Sequence, residues 1–257
     1  MNKKKISAIL ISLAFLLVVV FSSISILSVK DVNVTYALSE NVDASAIQRA
    51  LDKNLGKNFL FLSEEQVKDS LKGNHYVEVL SVDKQFPNVV NVMVKERREI
   101  YHIEYQGQSY VADETGFILK QGLPSGEARQ TIKLLIGNGI NLTSVQPGQT
   151  IKTDKDKLMS IVFDMAKSVN LTDCIESIVI EEAYGEYDVV FNAYTGVQIR
   201  IRKALIQGKQ KAINAFKAYD EKLTDYQKNS GEILSILLDD GNLRVNYNGR
   251  EIMTVKR

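Results

Sequence analysis

Tryptophan is missing from this 257-residue chain, and cysteine, histidine and proline occur once, twice and three times. A single cysteine, Cys174, excludes an intrachain disulfide. With no acid–base partner identifiable near it, it reads as a small buried hydrophobe. His75 and His102 form no His-x-x-x-His spacing and no Cys/His pair, so no zinc ligand set is present. Both read as solvated, His102 facing outward on a strand. Net charge is +1, and three of the positive residues are Lys3-Lys4-Lys5. No basic block follows them, which argues against nucleic acid as a partner, because counterion release needs a clustered cationic face.

Catalytic constellations are equally scarce. Ser81-Val82-Asp83-Lys84 has Ser-x-x-Lys spacing but falls on a strand end and turn, and no Lys-Thr-Gly follows. The acidic pairs Asp113/Glu114, Glu181/Glu182 and Asp239/Asp240 sit at strand ends or turns and read as solvated. Gly137-Asn138-Gly139 is not followed by a helix, so it is no phosphate loop. The expectation is a non-enzyme without cofactor or metal.

What the chain does have is one long apolar run. Ile6 to Val29 carries no polar side chains except serines, long enough for a helix to cross a hydrocarbon core, which takes ~20 residues. Lysines before it and Lys30-Asp31 after it predict an N-in, single-pass type II anchor with the bulk of the chain outside the cytoplasm. No Ala-x-Ala ends the run, which favours an anchor over a cleaved signal peptide. The expected layout is a short cytoplasmic tail over 1–5 and a transmembrane helix over 6–29. Folded domains follow over 30–98 and 99–257.

In the first domain Val32 and Val34 alternate with polar neighbours, predicting a strand. Asp43 caps a helix with Ile47, Ala50, Leu51 and Leu55 on one stripe, ended by Gly56. After Phe59-Leu60-Phe61-Leu62, Ser63 and Gln66 form a capping box, with Leu62 and Val67 as its staple; Gly73 closes this helix. A strand over 76–82, a turn at Phe86-Pro87-Asn88, and Val90, Val92 and Val94 in alternation complete the order strand, helix, helix, strand, strand. That order predicts an α+β layer.

These residues carry a resemblance. The N-in anchor, Asn58 to Leu62, and the run from Phe86-Pro87-Asn88 to Val94-Lys95-Glu96-Arg97 resemble the POTRA domain of the FtsQ/DivIB cell-division family. The resemblance implies a POTRA domain followed by a mixed α/β domain with a mainly antiparallel sheet. It implies a divisome scaffold at the septum that binds the bitopic proteins FtsB/DivIC and FtsL and, through them, the septal peptidoglycan synthase complex. A POTRA-type module for export or envelope assembly and a membrane-anchored hydrolase are the alternatives.

Residues 99–257 continue with strands at 101–105, at 110–112 and near 117–119. A loop over 120–131 and a strand over 132–136 follow. Thr153 caps a helix bearing Leu158, Ile161, Val162, Met165 and Val169. Strands over 175–181, 187–192 and 197–201 lead to a helix over 205–223. Ile233 to Leu238 reads as a strand buried on both faces, and Asp240-Gly241 as a hairpin turn. Arg202-Lys203 depart from the family, which typically has glycine there. By resemblance, a partner segment adds along the last strand, Leu243–Asn248. Asn248-Gly249 is itself a hairpin signal, and a folded-back tail would move the open edge out to 251–255. The candidate contact residues are Arg244, Val245, Asn246, Tyr247 and Asn248, with Glu251 and Met253 for the folded-back case.

Overall fold

The structure is a computed structural model that describes residues 12–15, 26–37, 42–125, 131–137, 139–169 and 174–256. It divides into two compact units, Met1–Arg97 and Arg98–Arg257. The expected tail, and residues 6–11 and 16–25 of the expected span, lie outside the described residues. No helix among the described residues is long and apolar enough to cross a membrane.

The first unit is a three-stranded sheet in the order β1-β3-β2, formed by β1 (Asp31–Ala37), β2 (Val77–Gln85) and β3 (Val89–Glu96). β3 lies between a parallel β1 and an antiparallel β2. Its inward residues Val90, Val92 and Val94 are buried with Val32, Ile47, Leu51 and Val67 in one apolar core. Helix α1 (Ala44–Leu51) begins where Asp43 accepts a hydrogen bond from the Ser45 N–H. Helix α2 (Glu64–Asp69) carries the full capping box between Ser63 and Gln66. Such caps satisfy donors that a helix's first turn cannot.

Three details of this unit depart from expectation. Leu55 is exposed rather than part of the α1 stripe, because a 3-10 turn over Asp52–Asn54 rotates it off that face. α2 ends at Asp69, ahead of Gly73. Val29, expected to end the membrane run, is buried in this core. Its N–H donates to the Lys57 carbonyl at 2.9 Å, and the Phe59 N–H donates to the Leu27 carbonyl at 2.6 Å. An apolar run reads alike whether its residues enter lipid or a protein core, so periodicity could not place this boundary.

The second unit is built on a ten-stranded sheet of β4 (Tyr101–Tyr105), β5 (Gln108–Ala112), β6 (Ile118–Gln121), β7 (Ile132–Ile136), β10 (Ile175–Ala183), β11 (Glu186–Ala193), β12 (Gln198–Ile201), β13 (Glu232–Leu237), β14 (Leu243–Tyr247) and β15 (Arg250–Val255), with a separate small pair, β8 (Leu142–Ser144) and β9 (Lys152–Thr153). Its order is β15-β14-β13-β12-β11-β10-β7-β4-β5-β6. Neighbours are antiparallel except at β4–β7, β7–β10 and β12–β13. Helices α3 (Asp156–Val169) and α4 (Gly208–Lys222) pack against each other and share one core with the sheet. Phe163 meets Tyr101 at 5.3 Å between ring centres, and Phe216 meets Phe191 edge-on at 5.4 Å.

β13 is not buried on both faces as expected. Ile233 and Ser235 are fully buried, while Leu234 and Ile236 on the other face are partly open, because the helices of this unit cover the Ile233 side. α4 starts at Gly208, later than the expected 205, after Gln207 adopts φ 53°. Leu205 and Ile206 are exposed on the preceding turn. Both histidines are half-buried rather than solvated. His102 is held between Val111 on β5 and Lys133 on β7.

Candidate partner-binding edge

Asn248 and Gly249 take φ of 47° and 78°, the left-handed pair that a two-residue hairpin needs. The tail therefore folds back, and β15 runs antiparallel to β14. A bulge at Ile252 lets Val245 pair with Met253 and Asn246 with Glu251. β14 is paired on both sides, with β13 and β15, so its backbone offers no open ladder. β15 ends the sheet order, with no strand beyond it among the described residues.

The expected contact residues divide accordingly. Val245 is fully buried among the core residues, and Met253, opposite it, packs on the same core. Tyr247 leans inward, its hydroxyl donating to the carbonyls of Gln227 and Ser230 at 2.9 and 2.8 Å. Asn248 closes the turn: its side-chain oxygen accepts from the Glu232 N–H at 2.9 Å. Arg244 and Glu251 form a half-exposed ion pair at 3.0 Å. The open side of the sheet at β15 therefore presents the backbone of 250–255 and the Arg244–Glu251 pair, whereas Val245, Tyr247 and Asn248 hold the edge in place.

Two neighbouring features escaped the sequence reading. Asp188 is buried and accepts from the Lys203 N–H at 3.0 Å, with Arg200 and Arg202 at 3.6 and 3.7 Å. Arg200 also pairs with Glu181 and Glu232. On α4, Lys211 is 1% exposed and donates to the carbonyls of Arg202 and Lys203 at 2.6 and 3.0 Å. Burial pushes its amine down to about 8. An open hollow of about 490 Å³ lies between Arg202, Lys203 and Lys211 and the strand end Ile236–Asp239. Alternation along β12 turns Arg200 off the Ile199–Ile201 face, and nothing in the sequence marks the acids that stand there.

The acidic pairs do not converge. Asp113 is buried rather than solvated, because its carboxylate closes a turn by accepting from the N–H groups of Thr115 and Phe117 at 2.8 and 3.0 Å. Glu181 is held by Arg200. No cluster able to hold a metal occurs among the described residues. Cys174 is half-buried against the core.

Residues 27–97 match the family described as POTRA domain, FtsQ-type. Over part of its length the chain is similar to curated FtsQ and DivIB cell-division proteins. Cell division protein DivIB of Clostridium acetobutylicum is 26% identical over 121 residues, covering 46% of this chain and 45% of that one. Cell division protein FtsQ of Rickettsia felis is 24% identical over 110 residues, covering 43% and 40%. The solved major extracytoplasmic domain of DivIB from Geobacillus stearothermophilus aligns with TM-score 0.30 at 14% identity, over 50% of this chain and 98% of that one. The alignments span about half the length of the curated relatives or less. The POTRA match begins at residue 27, where the Leu27–Val29 segment joins the first core.

Proposed function

We propose that this chain is a non-catalytic scaffold of the cell-division machinery, anchored through the apolar run that starts at Ile6 and precedes Leu27, with its folded units outside the cytoplasm. The FtsQ-type POTRA domain over residues 27–97 carries this reading, and the names of the relatives support a division role. In this reading the partners are FtsB/DivIC-like and FtsL-like bitopic proteins, linked in turn to the septal peptidoglycan synthase complex. An extended partner segment adds to the outer side of β15, where main-chain donors and acceptors have no strand to pair with among the described residues.

Depletion should block septation while elongation continues, and a tagged copy should gather at midcell. Normal division with uniform envelope distribution would overturn the role. For the edge, Met253→Pro and Thr254→Pro form a matched pair, since adjacent strand residues direct their N–H groups to opposite sides. The variant that removes the outward donor should lower copurification of FtsB/DivIC-like protein while leaving circular dichroism unchanged. Full binding by both would remove β15 from consideration. Asn246→Pro does not test the edge, because Asn246 pairs with β13 on one side and β15 on the other.

A further inference from the structure

The first unit exposes an apolar tip beside the point where the apolar N-terminal run joins it. Phe61 is 82% exposed, Phe86 70% and Leu60 55%. Leu60 and Phe61 follow directly on Asn58 and Phe59, the residues that bridge to Ser28 and Leu27. Phe86 comes from the β2–β3 turn, its ring 6.3 Å from that of Phe59. Three large apolar side chains from two loops thus gather close to where Ile6–Val29 enters the fold.

Much of the backbone of the Leu60–Leu62 loop is paired from within. The Asn58 side-chain oxygen accepts from the N–H groups of Leu60 and Phe61 at 2.9 and 3.4 Å, and the Leu62 N–H donates to the Asn58 carbonyl. Lys84 donates to the carbonyls of Leu60 and Leu62 at 3.4 and 3.0 Å, its amine lying 4.8 Å from the Phe59 ring centre. With these groups already paired, the Leu60–Leu62 loop meets a membrane surface at a smaller desolvation cost. Lys57 and Lys84 add positive charge beside the tip, which attracts anionic lipid.

We propose that Leu60, Phe61 and Phe86 insert into the outer face of the membrane that anchors the chain, with Lys57 and Lys84 against phospholipid headgroups. The inference rests on the anchored reading of Ile6–Val29. The tip fixes the tilt of the first unit on the bilayer, since a single tether alone would leave it free to swivel.

The absence of tryptophan makes the test direct. Phe61→Trp places the sole indole in the full-length chain, and Tyr226→Trp, on a residue 87% exposed in the second unit, serves as the comparison. Each is reconstituted into phosphatidylcholine–phosphatidylglycerol vesicles carrying brominated acyl chains. The Phe61→Trp chain should emit at shorter wavelength than the Tyr226→Trp chain and lose most of its intensity to the quencher. Adding Phe86→Asp to it should restore much of that intensity. A Phe61→Trp chain that floats with the vesicles while its indole stays unquenched overturns the membrane contact and leaves the anchor standing. A chain that fails to float overturns the anchor, and the contact with it.

Discussion

The two units differ in what they bury beside their apolar cores. The first buries an apolar core in which Asn54 is the one buried polar residue among those described, with α1 and α2 each closed by a side-chain cap. The second buries Glu99, Asp113, Asp188, Lys211 and Asn214 beneath and beside its sheet. Apolar packing tolerates volume-conserving exchange and fails by cavity formation, whereas buried charge fails when one partner is withdrawn. The small unit therefore depends on volume, and the large one on volume and charge balance together.

Asp188→Ala tests the charge side hardest. It strands the Lys203 N–H and takes the buried counter-charge from Arg200 and Arg202. The expected loss is ~3–5 kcal/mol in the second unit, read by denaturant titration, with hydrogen exchange in β1–β3 unchanged. Asp188→Asn keeps the hydrogen bond and loses the charge, so it should fall between. Equal stability of all three chains would erase the contrast between the units.

Leu51→Ala is the counterpart in the first unit. Leu51 is fully buried, and the cavity should cost ~2–4 kcal/mol, with amide protection lost in β1–β3 and retained in the second unit. If protection fell in both, the units would not open independently.

Lys211 gives the comparison a pH axis. Its amine, pushed down to about 8 from 10.5 by burial, is neutral in the folded chain above that pH while still protonated in the unfolded one. The unfolded state then holds more protons, so stability rises with pH between about 8 and 10.5. Relative to Lys211→Met, the native chain should gain on the order of 1–2 kcal/mol from about pH 7.5 to about pH 10. Buried Tyr101, raised above its usual 10.0, acts oppositely at higher pH and limits the useful range. A flat difference would mean that the folded chain leaves the amine at its ordinary value, protonated as in the unfolded chain.

Ser63→Ala should have the smallest effect, about 1 kcal/mol, confined to the first unit. The substitution leaves the Gln66 N–H without its acceptor while Gln66 still reaches the Ser63 N–H position. A loss as large as that at Leu51 would show that α2 is held by its cap more than by Val67 and Leu71.

The same division governs what the sequence could reveal. Asp43, Ser63 with Gln66, and the Val90–Val94 alternation signal through neighbours in the chain, and the structure places them accordingly. Asn248-Gly249 announced its hairpin for the same local reason. Arg200 lies between Ile199 and Ile201 and looks like a surface residue, because alternation assigns a face without saying what covers it. Lys211 looked like any helix lysine, its carbonyl acceptors lying eight and nine residues back across a turn. Leu55 and Val29 were misplaced because hydrophobicity alone does not say which neighbour a side chain meets.

The three parallel joints divide the large sheet into locally folded packets. β4–β6 and β10–β12 are antiparallel meanders, as is β13–β15, and each can zip from short turns. The joints close longer loops than the hairpins do, at a larger entropy cost. The last meander meets the rest of the sheet along Gln198–Ile201 against Glu232–Ser235, with α4 laid across the seam. A short parallel seam is where a sheet opens at low cost. A segment that adds to β15 of the closed sheet, and not to an opened meander, shifts that equilibrium by mass action. Occupying the outer strand would then also latch the seam two strands further in.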